Sequence, residues 1–523
     1  MSLYKKVISV LLCVIIFTSA FSGCSLLNLS NEPTTQPTTV VSQPVSLEKV
    51  GYTMAYLRTD SLNPYKCESE VNRNISGLLF DPLFNVKNDF SVTGVIAESY
   101  TYTKDNVITA KLRSGLTFTD GSALTADDVV YSFVLAKNSN YYSPSLKNII
   151  DASADGGGNV IFTLKNADPY DVANLTFPII KKDSDKDTSS SDDYSSAIPI
   201  GSGRYIFNEE KEEKKLIANG TRLGSFIPKY KFIGLRDITE ESSIQSLFDL
   251  NEIDFYTESF SEGTYKRYSG KSSTFDTTNF VYIGVNSDCN VLKESAVRRA
   301  ISLLVDRENI ASVSFSGFAI PTSTPFHPSF YGTKNCSVLP IKSDKDAAIS
   351  LLEDAGFYNI NSSGVRYSHE DGKLEIRLLV NKENSFKLAM ARHIQQTLAE
   401  ADINVILKEY SYNYYIQAVK DGSYDLYIGE VNLSDSFNLN GFFTESGSYS
   451  FGIDPESKSA SDYKSLLIGD KTMQEFLDTF ADELPFIPVL YRRGTTVRGE
   501  KIKTESKTIV SDYFYNIHEW TAE

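Results

Sequence analysis

Cysteine, histidine, tryptophan and positive charge are all scarce in this chain of 523 residues. The five cysteines, Cys13, Cys24, Cys67, Cys289 and Cys336, are too few and too scattered to staple a domain of this size. One bridge among the last three is allowed, with its pairing open. The four histidines, His327, His369, His393 and His518, share no ligand spacing with one another or with cysteine. No metal and no cofactor is therefore expected. Lysine and arginine number 51 against 67 acids, a net charge of −16 that would repel nucleic acid and anionic lipid alike. No G-x-S-x-G elbow occurs and no nucleophile stands with a base, so an enzyme is not expected. Long apolar runs are missing too. The run Val7 to Phe21 is 15 residues, and spanning a bilayer takes roughly 20.

That short run sits between Lys5-Lys6 and the sequence Phe21-Ser22-Gly23-Cys24, the order of a secretory signal ending in a lipobox-like site. Cleavage after Gly23 would leave Cys24 as the lipid-bearing first residue, and losing Lys5 and Lys6 would take the charge from −16 to −18. Residues 24–47 are rich in Ser, Thr, Pro, Gln and Asn with no apolar period, the composition of a disordered tether. The whole chain is 41% hydrophobic, and the part beyond them is too long for one ordinary core, so two or more domains are expected.

The most informative stretch is Leu112 to Lys137, LRSGLTFTDGSALTADDVVYSFVLAK. Leu112 to Phe118 alternates as a half-buried strand should, Asp120-Gly121 is a turn pair, and Thr125 stands as the N-cap of a helix. Asp120, Asp127 and Asp128 then read as turn and capping groups, with Val129, Val130, Phe133 and Val134 as the buried face. Gly201 and Gly203 form a turn feeding the strand that starts at Tyr205, since no phosphate-loop pattern follows. Asn279 to Asn286 alternates as a strand. Leu374 to Val380, Ser385 to Ala401 and Ile403 to Glu409 read as strand, helix and strand, an α/β arrangement. Arg298, Arg299, Asp306 and Arg307 read as the solvated face of a helix whose stripe is Ala300, Ile301, Leu303 and Leu304.

Phe118, Asp120, Gly121, Leu124, Thr125, Ala126, Asp128, Val129 and Ser132 stand in the register of the wording FxDGxPLTAxDVxxS, and the chain thereby resembles the family 5 extracellular solute-binding proteins. Further segments are similar in the same order: Ser61 to Tyr65, Gly201 to Tyr205, Asn251 to Asp254, Ala296 to Arg307, Asp346 to Phe357 and Leu484 to Tyr491. The resemblance implies an α/β fold of two periplasmic-binding-protein lobes, class II-like, with mixed sheets and hinge-crossing strands. The first lobe would comprise residues 48–280 plus 485–523 and the second 281–484, with residues 1–23 the signal and 24–47 the lipidated tether. It also implies a solute, a peptide first of all, captured between the lobes and delivered to an ABC permease and ATPase. The monomeric protein would be lipid-anchored through Cys24 on the outer face of a cell membrane, and the acidic charge with a polar tether suits a Gram-positive surface. A ligand-sensing receptor of the same fold, or a binder of a sugar or metal complex, would carry the same features.

In peptide-binding members of that family a carboxylate of the second lobe holds the ligand's amine. Asp435 is the nearest match here and Glu430 the second, although the tryptophan usual in that region is missing. On the first lobe Arg58, Thr59 and Asp60 stand where members present ligand-facing groups. Tyr412 and Tyr415, with Tyr414, Phe442, Phe443, Tyr449 and Phe451, are the aromatics expected at the cleft. The single tryptophan, Trp520, leaves the class of ligand open.

Overall fold

Two strands of this chain are long enough to pass from one lobe into the other. The computed structural model describes residues 47–523, apart from 104–105, 187–197, 212, 223, 225 and 259–268. The expected signal, Cys24 and the tether to residue 46 lie outside the described residues. No described helix is long and apolar enough to cross a membrane.

The first lobe opens with β1 (Leu47–Leu57), α1 (Glu70–Leu79) and the hairpin β2 (Phe84–Val86) and β3 (Val92–Gly94). It continues through β4 (Ala97–Thr103), β5 (Val107–Leu112), α2 (Ala126–Asn138), β6 (Ile149–Ala154) and β7 (Asn159–Leu164). Next come β8 (Tyr205–Glu210), β9 (Glu213–Ala218), β10 (Tyr230–Ile238) and β11 (Phe255–Glu258). The crossing strand β12 (Lys271–Val285) leads to α3 (Ser295–Leu304), β13 (Ala319–Pro321) and α4 (Lys345–Asp354). A small ribbon follows, of β14 (Asn359–Ile360), β15 (Arg366–Ser368) and β16 (Gly372–Lys373). The second lobe is completed by β17 (Glu375–Asn381), α5 (Ser385–Ala399), β18 (Asn404–Tyr410), α6 (Tyr412–Lys420), β19 (Leu426–Asn432), α7 (Lys458–Leu467) and α8 (Met473–Glu483). Strand β20 (Phe486–Arg498) returns the chain to the first lobe.

One mixed sheet joins the two lobes, in the order β18-β17-β19-β12-β20-β11-β1-β10-β9-β8, with β13 alongside β20. Strand β12 pairs antiparallel with β20 from Lys271↔Arg498 to Gly284↔Phe486, with irregularities after Asp276 and Val281. A strand of 15 residues spans about 50 Å. Its carboxyl half neighbours β19 in the second lobe, while the far half of β20 neighbours β11 in the first. The fold is thus the two-lobe α/β architecture expected.

Each lobe buries its own apolar set. Val281, Ile283, Ile376, Leu378 and Ile394 pack between the sheet and the helices of the second lobe. Tyr52, Leu78, Phe255 and Trp520 form a core of the first. The first lobe also carries a separate four-stranded sheet, β4-β5-β7-β6, whose core with α2 includes Ile108, Val129, Phe133 and Phe162. A further cluster joins the lobes, since Phe90 and Ala173 of the first pack with Phe437, Phe442 and Tyr491.

The signature stretch serves the scaffold. Strand β5 ends at Leu112, so the strand expected at Leu112 to Phe118 lies one element too late. Leu116 and Phe118 are instead buried from an irregular segment held by Phe118 N to Ser122 O at 2.9 Å and Leu124 N to Leu116 O at 3.0 Å. Asp128 Oδ2 accepts from Thr125 N and Thr125 Oγ1, both at 2.8 Å, and its Oδ1 accepts from Lys182 N at 2.9 Å. Asp120 takes Ser122 N and Lys181 Nζ. Gly203 N donates to Leu79 O at 2.9 Å, and a Cβ at Gly203 would lie 2.3 Å from the Leu79 carbonyl carbon, so that pair of glycines lets the chain pass the end of α1.

One expectation is corrected here. Arg298 and Arg307 are buried, at 9% and 2% exposure, and are no part of a solvated face. Their guanidinium groups cap backbone carbonyls: Arg298 Nε donates to Glu483 O at 2.8 Å, and Arg307 Nε to Pro488 O at 2.9 Å and Thr322 O at 3.1 Å. Burial pulls the Arg307 pKa down to about 10, which leaves it charged. The scattered cysteines, for which one bridge was only allowed, are free thiols at Cys67, Cys289 and Cys336.

Between β12 and β19 two tyrosines lie across two glycines in reciprocal pairs, Tyr282 facing Gly429 and Gly284 facing Tyr427. A Cβ at Gly429 would stand 2.3 Å from the Tyr282 ring, so nothing larger fits. Gly429→Val should cost about 2 kcal/mol, the scale of forced overpacking. Urea unfolding at equilibrium checks this; an unchanged midpoint would show that the ring moves aside freely.

Candidate functional site

Strand β19 ends at Asn432, paired with Asn279 where β12 passes between the lobes, so the loop that follows emerges at the crossing point. Phe437 N closes the turn Ser434 to Phe437 on Ser434 O at 2.9 Å. Phe437 itself holds φ 54°, a left-handed conformation that a bulky residue seldom adopts. Packing sustains it. Its ring is fully buried, 4.7 Å from the ring of Phe90 and 4.9 Å from that of Phe330. Phe90 is itself at φ 60°, at the tip of the β2–β3 hairpin of the other lobe.

Asp435 is held by this turn in the crevice between the lobes. Water reaches part of the side chain, but protein crowds the carboxyl, and burial pushes its pKa up to about 7. Among the described residues no hydrogen bond or ion pair offsets that burial. Opposite it stand Tyr141, 53% exposed, and Tyr513, whose ring lies 4.6 Å from that of Phe275. Burial raises both phenols, and both also feel the charges of Asp435, Glu70 and Arg73. These five groups therefore lie near one another. The Arg73 guanidinium lies 4.0 Å over the Tyr141 ring, a cation–π contact that fixes the arginine on the first-lobe wall. Glu70 and Arg73 also line a cavity of about 520 Å³ with Thr59, Asp60 and Glu241, a volume suited to a small ligand.

The expected site residues fare differently. Asp435 lies at the crossing, and Thr59 and Asp60 border the adjoining cavity. Arg58 is exposed just beyond β1, its backbone N donating to Ile238 O at 3.1 Å. Asp60 is engaged in its own loop, accepting from Ser61 N and Ser69 N at 2.8 Å each and from Cys67 Sγ at 3.3 Å. Burial would raise its pKa, yet these bonds, led by Ser69, hold it below the usual range. Glu430 is also corrected. Its carboxylate is locked between Lys387 Nζ at 2.6 Å and Arg492 Nη1 at 3.0 Å, and those cations keep its pKa low despite burial. Tyr415 belongs to the core, its hydroxyl donating to Ile428 O at 2.6 Å, and Tyr412 is 54% exposed at the start of α6. Phe442 and Phe443 are likewise buried in packing. Helix periodicity cannot separate a cleft aromatic from a core aromatic, and here packing took Tyr415, Phe442 and Phe443.

Tyr141, Tyr513, Glu70 and Arg73 were not foreseen. Tyr141 left a signal, an aromatic pair in the polar run Asn138-Ser139-Asn140-Tyr141-Tyr142-Ser143. Tyr513 left none, because only the return of the chain after β20 brings it to this wall.

A family model described as bacterial extracellular solute-binding proteins, family 5 Middle, matches residues 91–450. The oligopeptide-binding protein AppA of Bacillus subtilis (strain 168) is 24% identical over 352 residues, 64% of this chain and 64% of that protein. The matched region is thus under two thirds of that relative's length. A nickel ABC transporter structure from Bacillus halodurans superposes with a TM-score of 0.71 at 19% identity, covering 89% of this chain and 98% of that one. The periplasmic murein tripeptide binding protein MppA, in its unliganded open form, does so at 0.69 and 18% identity, over 88% and 95%. At these identities the superpositions establish the fold.

The uncompensated Asp435 carboxyl makes a measurable claim on stability. Its folded pKa of about 7 lies above an unfolded value near 3.9, so the folded state keeps a proton that the unfolded chain has lost. The group therefore favours unfolding increasingly as pH rises from about 4 to about 7. Asp435→Asn should stabilise the ligand-free protein at pH 8 by about 1 kcal/mol, after allowance for water in the crevice, and leave it unchanged at pH 4. Urea midpoints at the two pH values decide it. Equal effects at both would mean the carboxyl is not strained.

Proposed function

The chain belongs to the bacterial extracellular solute-binding proteins of family 5, and from this premise we propose that it captures a peptide between its lobes and delivers it to an ABC permease and ATPase. The observation that carries the reading is Asp435, an ionisable group at the crossing with no partner of its own among the described residues. An ammonium group would relieve its burial, and charge-assisted hydrogen bonds to a carboxylate are among the stronger ones available. Near it Arg73, stacked over the Tyr141 ring, offers a guanidinium to a ligand carboxylate. A solute with a free amine and a carboxylate matches both. AppA and MppA carry peptide names, which favours this class. The likeness to a nickel transporter favours a metal-complex binder as the second reading.

We take residues 48–280 with 485–523 as one lobe and 281–484 as the other, opening about β12 and β20; the open form of unliganded MppA supports such a motion. Contacts made only when the lobes are shut would then supply the affinity. The sequence from Lys5 to Cys24 supports lipid anchoring at Cys24 on the outer face of a cell membrane, by a monomer held on a polar tether. Handing the ligand to a membrane sensor is the other use of the same body.

Two measurements test the proposal. The full chain, stripped of bound solute, is offered an equimolar tripeptide library and its N-acetylated counterpart, with retained species read by mass spectrometry. Free-amine peptides should be retained and acetylated ones lost, and Asp435→Asn should weaken retention tenfold to a hundredfold, from a charged hydrogen bond worth about 1.5–3 kcal/mol. Equal retention of the acetylated library would remove Asp435 from the reading. For the anchor, Cys24→Ala should move the protein from the membrane pellet to the soluble fraction; continued sedimentation with membranes would count against lipidation.

A further inference from the structure

Beside Asp435 the lobes meet through buried acids. The segment after β7 carries Asp168 and Asp171, each 1% exposed. Across the crevice Asn438 Nδ2 donates to Asp168 Oδ2 at 2.8 Å, and Ser436 Oγ donates to Asp171 Oδ1 at 3.2 Å. On their own side Asn148 Nδ2 donates to Asp171 Oδ2 at 2.5 Å, Asn174 Nδ2 to Asp171 Oδ1 at 2.9 Å, and Tyr170 N to Asp168 Oδ1 at 2.9 Å. Every donor is neutral.

Among the described residues the surroundings supply no counter-charge. The titratable groups acting on the pair are Tyr102 of β4, Tyr170 of the same segment, Tyr331 from the loop after β13 and Tyr463 of α7. Asp435 is the next acid along the Ser434–Phe437 loop. Lys165 and Lys464 line an outer cavity of about 970 Å³ with Ala167, Pro169 and Asn440, and among the described residues neither forms an ion pair with Asp168 or Asp171. One further atom is informative. Asn174 Oδ1 is buried and accepts no hydrogen bond, although its own amide nitrogen reaches both Asp171 and Ser436. A spare acceptor beside two carboxyls is the arrangement in which one of them keeps a proton to donate.

We propose that the lobes close with uptake of a proton on the Asp168–Asp171 pair, making this contact a pH-sensitive catch that works whichever solute is carried. The physical reason is desolvation. Two carboxylates shut away together without a cation cannot both stay ionised at low cost. Burial, and for Asp168 the neighbouring charge of Asp171, raises both above the usual carboxylate range. Parting the lobes returns them to water, where such groups titrate near 4. The closed form therefore binds more protons. Closure is favoured at acid pH and weakens as pH rises through the raised values, the closed-to-open ratio changing up to about tenfold per pH unit for each proton taken up.

Small-angle X-ray scattering of the full chain without solute, from pH 5 to 8.5, reads this directly. The radius of gyration should grow with pH in the wild type and stay at the closed value throughout in the Asp168→Asn/Asp171→Asn double variant. A wild-type radius independent of pH, or a double variant that follows the wild type, overturns the proposal. Should the double variant not fold, Asn438→Asp on the opposite lobe decides instead. By adding a carboxylate against Asp168 it should move closure to lower pH by about one unit; an unmoved transition overturns the proposal equally.

Discussion

The ladder between β12 and β20 is the interaction on which the positions of all the other parts depend. Because both strands run through both lobes, the same hydrogen bonds that hold the sheet together also join the two bodies. Its regular pairing breaks after Asp276, and there Arg493 Nε bonds Asp276 Oδ1 at 2.8 Å across the two strands. The start of β20 is pinned by Arg307, which ties Pro488 O to Thr322 O through one buried guanidinium. A fixed ladder with a break near its middle places β19, and so the Asp435 loop, at the mouth between the lobes.

The surface where the lobes touch combines two kinds of contact with opposite leanings. The pairs Phe90–Phe437 and Tyr170–Phe330 bury apolar area across the two lobes and favour their contact, with aromatic pairs adding about 0.5–1.5 kcal/mol each beyond their burial. The carboxyls of Asp168, Asp171 and Asp435 lose water in the same step and oppose it. A seam of aromatic rings alone would carry no such opposing contribution. The strained backbones at Phe90 and Phe437 fit the same picture, because the two rings pack on each other across the lobes.

Local chemistry made much of this fold legible. Thr125 and Asp128 cap their helix because their spacing allows nothing simpler, and the runs expected at 374–380, 385–401 and 403–409 appear as β17, α5 and β18. Where reading failed, burial had overridden local pattern. The alternation at Leu112 to Phe118 belonged to side chains sinking from an irregular segment, and the arginines taken for a wet face turned inward to meet carbonyls that no sequence displays. Glu430 and Asp435 looked alike as acids five residues apart; one met Lys387 and Arg492 across the sheet and the other met no cation.

The sequence by itself determined the family signature, the α/β class and the acidic charge. Those features depend on neighbours a few residues away, whose geometry is fixed by turns, caps and side-chain periods. Only the tertiary structure decided which carboxylate stayed unpaired, that Tyr141, Tyr513 and Arg73 would face it, and that Asp168 and Asp171 would be shut between the lobes. Each of those outcomes depends on which residues, distant along the chain, share one low-dielectric space, and that is set by the crossing of β12 and β20 and not by any local pattern.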